Sequence, residues 1–242
     1  MNAYGDAFAW LADPGHWPGP DGIAARVGEH LAYTGLTLLI ALVLALPAGL
    51  LIGHTGRGAA LVIPFTGALR ALPTLGLVIV LALGLGIGLL APLVALVILA
   101  LPPILAGAYA GLGSVDRATV EAARAVGMTG WQLLWQVEVP LALPLIVAGV
   151  RAACLQLIAT WTVAAYLAVG GLGRFIYDAL PVRDYAQMLA GSILVIVLAL
   201  LADGLFAIVQ RLLTPAGVRA RRAGEPRRRS RLPQPVAGPS AP

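Results

Sequence analysis

Three charged side chains stand in sequence otherwise fit for hydrocarbon: Arg70, Arg151 and Asp203. Their chemistry is electrostatic. An ionised group inside a bilayer is costly unless it is paired or hydrated. Asp203 is therefore expected to meet Arg151, Arg70 or both. Arg151 is favoured, because its span directly precedes that of Asp203. Each charge lies about ten residues from one end of its span, a depth of roughly 15 Å at 1.5 Å rise per residue. The alternative is that the arginines snorkel to the nearer interface.

Little else in the chain is suited to a reaction. Membrane-embedded catalysis needs an acid, base, nucleophile or metal cluster. The remaining acids are scattered, with Asp116, Glu121 and Glu138 in one polar stretch and Asp178 and Asp184 in another. The sequence offers no Ser–His pair, no His cluster and no Gly-rich phosphate loop ending in Lys. His16 and His30 lack partners at metal-site spacing and read as solvated or capping residues. Cys154, the one cysteine, reads as a small packing residue. The glycines of 84–88 read as a turn or a close helix contact. The chain is not expected to be an enzyme, and neither metal nor cofactor is expected on it. Any ATP binding must lie on another chain.

The elements that position these groups follow from composition. The 242 residues are 60% hydrophobic and 11% charged, against about 25% charged in soluble domains. This is an integral membrane protein. Five spans are expected over 31–52, 59–83, 93–111, 141–169 and 188–213, each long enough for a hydrocarbon core of ~30 Å. The second is interrupted by Arg70-Ala-Leu-Pro-Thr74, and Pro47 is placed to kink the first. Residues 1–30, with Trp10, Trp17 and several prolines, read as an irregular outer segment at the interface and not as a signal peptide. The transmembrane domain is 31–213, with a polar loop at 112–139. Residues 214–242 form an Arg- and Pro-rich tail expected to be disordered. All sixteen basic residues are Arg, and the net charge of +5 comes mostly from that tail. It gives no ground for a nucleic-acid partner.

The polar stretch 121–144 has its own logic. Ser114 or Asp116 can cap a first helix. Arg117, Glu121 and Arg124 fall on one face with compatible pairs, and Ala118, Ala122 and Ala125 on another. Gly127 suits a left-handed helix stop. Thr129 and Gln132 make a capping box, so a second helix starts at once. Pro140 suits the first turn of a third helix that enters the membrane.

Glu121-Ala122-Ala123, Gly127, Val137, Val139 and Pro140 stand at the spacing of the cytoplasmic "EAA" loop of ABC importer permeases, and the stretch resembles that loop. The bland reading is a surface helix-turn-helix between two spans, with no partner. The resemblance implies coupling helices that dock on an ATPase subunit through Glu121, Ala122, Ala123, Gly127, Thr129 and Trp131. It extends over roughly 29–215. Glu29-His30-Leu31 with Thr34, Pro47-Ala48-Gly49, Arg70 to Thr74, Glu138 to Pro144, Gly149-Val150-Arg151 and the Gly-Gly-Leu-Gly of 170–173 look like the osmoprotectant branch, whose members import glycine betaine, carnitine or choline. The tail beyond Val218 departs from that pattern.

The resemblance implies an all-α polytopic bundle of about five spans, a type I ABC importer permease core of the methionine-importer kind. The implied partners are an ABC ATPase, a second permease subunit, an extracytoplasmic substrate-binding protein and membrane lipid. With the coupling loop inside, the N-terminus lies outside the bacterial inner membrane and the C-terminus inside. That side holds eleven arginines, eight of them from Arg211 onward, against three outside. Without the tail the count is even. The loop 170–187 then faces outward, to receive the binding protein through Gly171, Gly173, Arg174, Asp178 and Arg183, or to serve as a plain connector. Trp161 and Tyr166 offer π faces to a quaternary ammonium or act as interfacial anchors. Related permeases for methionine or sulfonates share the layout. The rival class is a stand-alone channel or secondary carrier, but no internal repeat appears and Asp203 is the one candidate midplane acid.

Overall fold

The computed structural model describes residues 3–214; the basic tail beyond lies outside them. The described chain is helical throughout. In order come α1 (Ala3–Ala12), α2 (Ile23–Thr55), α3 (Ala59–Arg70), α4 (Thr74–Leu85), α5 (Leu90–Gly113), α6 (Arg117–Ala125), α7 (Gly130–Leu133), α8 (Val139–Ala164), α9 (Arg174–Ala179) and α10 (Tyr185–Leu213). Four of these runs are long and apolar enough to cross a bilayer, and α3 with α4, bent by 85°, counts as a fifth if taken as one broken span. The bend falls at Arg70 to Pro73. Proline pushes the residue before it out of the helical region and cannot donate to the preceding turn.

The axis is α5. It packs on α2 and α8 along its length and on α3 and α4 at its flank. Leu96, Leu99, Ala100, Ile104 and Leu105 meet Ala41 and Ala45 of α2, Val62 of α3, and Leu157 and Trp161 of α8 in one core cluster. Close approach is set by absent side chains. A Cβ on Gly149 would lie 2.6 Å from the Pro103 carbonyl oxygen and 2.9 Å from Gly107 Cα. On the other side of α5, a Cβ on Gly49 would sit 2.7 Å from Ala108 Cβ. These are contacts of backbone and small side chains of the kind that hold helices together where lipid is as apolar as leucine.

Proline inside a span orphans a carbonyl, and the structure answers one such case directly. Pro103 cannot donate to Leu99, and the Gln156 side chain of α8 supplies the missing donor at 3.1 Å. By contrast α10 buries only Ala190 and Gly191 among its residues; its contact with the bundle is mostly with α8, α1 and α9.

Two sequence expectations need correction. Between Ala3 and His30 only residues 13–22 are irregular: α1 packs Ala7 with no exposed surface, and α2 begins at Ile23 rather than near Leu31. The extra turns carry charge because it is internally matched, Arg26 donating to Glu29 at 2.9 Å and also pairing with Asp21. The loop 170–187 contains α9, and its last residues already belong to α10. The third helix starts where expected, α8 beginning at Val139 with Pro140 in its first turn, but no linker separates it from α7. The chain from Gly130 to Leu167 is one continuous run of 38 residues, through a π-helical turn at Leu134–Glu138. Pro140 has no N–H to offer and its ring crowds the carbonyl four residues back; a π turn is a usual way for a helix to absorb such a fault without ending.

The glycine crossing makes a sharp expectation. Gly149→Ala must push α5 and α8 apart, and overpacking of this kind costs about 1–3 kcal/mol. Gly28→Ala in α2 meets nothing within 4 Å and should be neutral or stabilising by ~0.5–1 kcal/mol. Thermal aggregation of the detergent-solubilised variants reads the difference. Equal midpoints for the two would remove the crossing from its central place.

Candidate functional site

The first candidate is the polar stretch between α5 and α8. Asp116 caps α6, its Oδ1 accepting from the Ala118 N–H at 3.0 Å. Ser114 instead donates its hydroxyl to the Gly111 carbonyl at 2.7 Å. Gly127 takes φ +88°, and the Met128 N–H closes the turn onto the Ala123 carbonyl at 3.3 Å. The capping box forms in both directions: Gln132 N–H to Thr129 Oγ1 at 3.3 Å, Thr129 N–H to Gln132 Oε1 at 2.9 Å. Glu121, Ala122, Gly127, Thr129 and Trp131 lie exposed. Ala123 does not; it is buried, on a helix that packs against α7 and the π turn. The expected ion pairing along α6 is missing: no ion pair joins Arg117, Glu121 and Arg124 among the described residues, and all three point to solvent. The exposed small-residue face of Ala118, Ala122 and Ala125 continues into Val126, 77% exposed, and Trp131, 71% exposed. Trp135 stands edge-on to Trp131 with ring centroids 5.5 Å apart.

The second candidate is at the other end of the bundle. His30 and His54 lie within α2, 24 residues or about 36 Å apart at 1.5 Å per residue. At the His30 end the 170–173 loop is stitched to α2. The Gly171 N–H donates to Glu29 Oε2 at 2.8 Å and the Leu172 N–H to His30 Nδ1 at 3.3 Å. His30 Nε2 lies 3.0 Å from the Ile158 carbonyl. An accepting Nδ1 and a carbonyl opposite Nε2 fix the neutral tautomer with its proton on Nε2. His30 is therefore a buried clasp, not a solvated residue. Gly171 and Gly173 are buried as well, and a Cβ on Gly173 would fall 2.3 Å from the Thr162 carbonyl. They let the loop seat and are not surface contacts. The remaining three expected residues do reach the rim: Arg174 pairs with Asp178 one turn on, and Arg183, at φ +57°, is exposed. Leu180, Val182 and Tyr185 lie exposed beside them.

The third candidate is intramembrane. Arg151 Nε and Nη2 donate to the two carboxylate oxygens of Asp203, both at 2.6 Å. Planar two-point pairing of this kind is what guanidinium does better than ammonium. Seven residues further along both antiparallel helices, Gln210 Nε2 donates to the Pro144 carbonyl at 2.7 Å. The two ties are about 10 Å apart along the helices. Arg70 takes no part: it sits exposed in the last turn of α3, and α3 packs on α5 whereas α10 packs on α8.

Trp161 is neither an anchor nor an open π face. It is 1% exposed, donates to Thr37 Oγ1 at 3.1 Å and packs on Tyr33. Tyr166 remains exposed. Among the described residues no group of three His, Cys, Asp or Glu comes together to hold a metal. The reading of residues missed Trp135 and Val126 as surface groups, although the spacing of Trp131 and Trp135 at i, i+4 is the available signal. It also missed the pairing of His54 with Glu138, 84 residues apart, for which local sequence holds no signal.

Comparison with known proteins places this geometry. The family model described as the binding-protein-dependent transport system inner membrane component matches residues 39–215. The glycine betaine/carnitine/choline transport system permease protein OpuCB of Bacillus subtilis (strain 168) is 33% identical over 80% of this chain and 89% of its own. The choline transport system permease protein OpuBD of the same organism is 36% identical over 93% and 96%. Osmoprotectant import permease protein OsmW of Salmonella typhimurium is 34% identical over 81% and 94%. Among solved structures, an inward-facing form of the MetNI methionine ABC transporter aligns with a TM-score of 0.70 at 26% identity, over 80% of this chain and 96% of that one. The helical fold is thus shared with that transporter's aligned chain, and the chain belongs to the family of binding-protein-dependent transport system inner membrane components.

Proposed function

We propose that this chain is the permease subunit of an ATP-driven importer for a small osmoprotectant of the glycine betaine, carnitine or choline kind. One observation carries the reading: α6 and α7 form a doubly capped finger whose exposed tip is apolar, continuous with a membrane span. Val126 and Trp131 present surface that water disfavours and a partner's groove would cover. The relatives named for these solutes are 33–36% identical, above the 26% of the methionine-transporter structure, which favours the osmoprotectant class over methionine.

The working cycle follows from the parts. A loaded extracytoplasmic binding protein docks on the rim formed by Arg174, Asp178 and Arg183. ATP closes a dimer of separate ATPase subunits, which carry the finger with them. Solute passes between this chain and a second permease, and hydrolysis resets the pair. The finger lies in the cytoplasm and the 170–187 loop outside the bacterial inner membrane. Charges of both signs on the rim suit steering more than tight burial.

The finger's docking is tested by purifying the complex and measuring ATP-dependent uptake of the three solutes. Ala122→Trp adds bulk to the exposed face and should leave the subunit inserted while lowering uptake and ATPase retention. Gly127→Val strains a left-handed position by about 1–2 kcal/mol and should uncouple hydrolysis from uptake. Ala123→Trp is expected to damage folding instead, since Ala123 is buried. Wild-type uptake and ATPase retention in both Ala122→Trp and Gly127→Val would end the docking idea.

Orientation has a direct test in a Cys154→Ala background. A membrane-impermeant thiol reagent should label Asp178→Cys from outside and Ala122→Cys only from the cytoplasmic side. The opposite pattern would invert the topology.

The α8–α10 ion pair is proposed to fix α10 against the bundle. Asp203→Arg should sharply reduce assembled complex, and Asp203→Arg with Arg151→Asp should recover a substantial part, whereas Asp203→Arg with Arg70→Asp should recover none. A harmless Asp203→Leu, with no rescue by the exchange, would show the pair to be dispensable.

A further inference from the structure

The finger is joined to α2 as well as to the spans that flank it. His54, in the last turn of α2, reaches Glu138 at the end of the π turn, with Nδ1 2.5 Å from Oε2. The carboxylate accepts, so Nδ1 carries the proton. The pair is enclosed: the Glu138 side chain is 8% exposed and that of His54 19%. The free edge of the imidazole faces the other end of the same arm. A Cβ on Gly130, the first residue of α7, would lie 3.5 Å from His54 Nε2. One ring thus touches the first turn of the arm and its π-helical base.

Around it the contact is apolar. Leu50 of α2, Ala108 and Leu112 of α5, Leu134 in the π turn, and Ala142 and Ile146 of α8 form one buried cluster. Such packing is non-directional and tolerates small sliding. A buried hydrogen bond to a carboxylate does not: it has a set length and angle and is expensive to leave unmade. Apolar residues of similar volume often hold a buried site as well or better. What the polar pair adds that they do not is a set geometry.

We propose that His54 and Glu138 are positioning residues that lock the base of the finger to the end of α2, so that movement of the finger is transmitted to α2 and not lost as bending at the π turn. This rests on the transporter reading above. A displaced finger has two paths into the membrane domain. The covalent one runs through the π turn into α8, and π turns are mechanically irregular points in a helix. The second runs through the imidazole into α2, which packs along α5 and carries the Glu29–His30 clasp at its far end.

The test uses the complete complex, permease with its ATPase and binding protein, in sealed vesicles, and reads solute taken up per ATP hydrolysed. The deciding variant is His54→Leu with Glu138→Leu. It removes the tie while keeping the site filled. It should assemble at wild-type yield and lower uptake per ATP by about fivefold or more, the low end of measured coupling between sites, with hydrolysis no longer dependent on the loaded binding protein. Glu138→Gln alone should show a smaller loss of the same kind. A double-leucine complex within twofold of the wild-type ratio overturns the proposal, because the pair would then be packing only. Should the double-leucine chain fail to assemble, the exchanged pair His54→Glu with Glu138→His decides. A wild-type ratio in that complex supports the lock, and an uncoupled or unassembled one overturns it. A wild-type complex that shows no uptake-linked hydrolysis would refute the transporter reading itself, and this inference with it.

Discussion

At Gly107 and Gly149 the backbones of α5 and α8 come too close to admit a Cβ on either residue. With hydrocarbon outside, burying leucine gains little, and what remains to drive association is contact density and hydrogen bonding. A glycine crossing provides the first without side-chain entropy. Its consequence is geometric: once α5 and α8 touch at that point, Gln156 can reach across to the Leu99 carbonyl that Pro103 orphans. The prolines that break the ladder of α5 are thus tolerable because the neighbouring helix is near enough to repair it. Moving α8 away by a methyl's thickness would loosen both devices together.

Helices farther from that crossing depend on polar ties. The outermost span, α10, packs few residues deeply and is held to α8 by Arg151–Asp203 and by Gln210 on the Pro144 carbonyl. The α1–α2 side is held to the 170–173 loop by Glu29 and His30. In each case the partner of the polar group is a side chain or backbone group able to complete the hydrogen bond, which is the condition for burying polarity at tolerable cost. The ties also carry register. A two-point guanidinium pair and an amide–carbonyl bond seven residues on are satisfied together at one axial setting of α10, so lipid contact can vary while the setting does not.

The sequence displayed the local grammar well. Asp116, Gly127, Thr129 and Gln132 each occupy the cap their side chains suit, because capping depends on neighbours within four residues. The spans, the break at Arg70 to Pro73 and the Arg151–Asp203 pairing were legible from hydropathy and from the cost of lone charge. What was not legible needed the third dimension. Nothing in the order of residues says that Ala123 faces inward while Ala122 faces out, since both are alanine on one short helix. Gly171 and Gly173 read as loop surface, but Gly171 sits on Glu29 and His30 and Gly173 on Thr162 and Ala165. Arg70 lost its expected partner because the 85° bend after it sends α3 along α5, and a bend angle is not written in a proline. The continuity through Pro140 was hidden for a similar reason, as a proline near a helix start and a proline absorbed by a π turn read alike.

Continuity is what gives these separate features a common consequence. The run from Gly130 to Leu167 is 38 residues, roughly 55 Å at 1.5 Å per residue, and therefore longer than a hydrocarbon core of ~30 Å. One end of it is the base of the exposed finger. Near the other end, the Ile158 carbonyl holds His30, and a turn later Thr162 backs onto Gly173. A chain broken at Pro140 would make the finger a flexible appendage, and its motion would decay in the linker. On the proposed transporter reading, a helix continuous through its π turn, braced there by His54–Glu138 and crossed at its middle by α5, would act as a lever about that crossing. The end bearing the finger and the end beneath the 170–173 loop would then move in opposite senses. The proposed cycle of alternating access needs that relation between the two faces, and the glycine pair and the continuous helix are the features that would supply it.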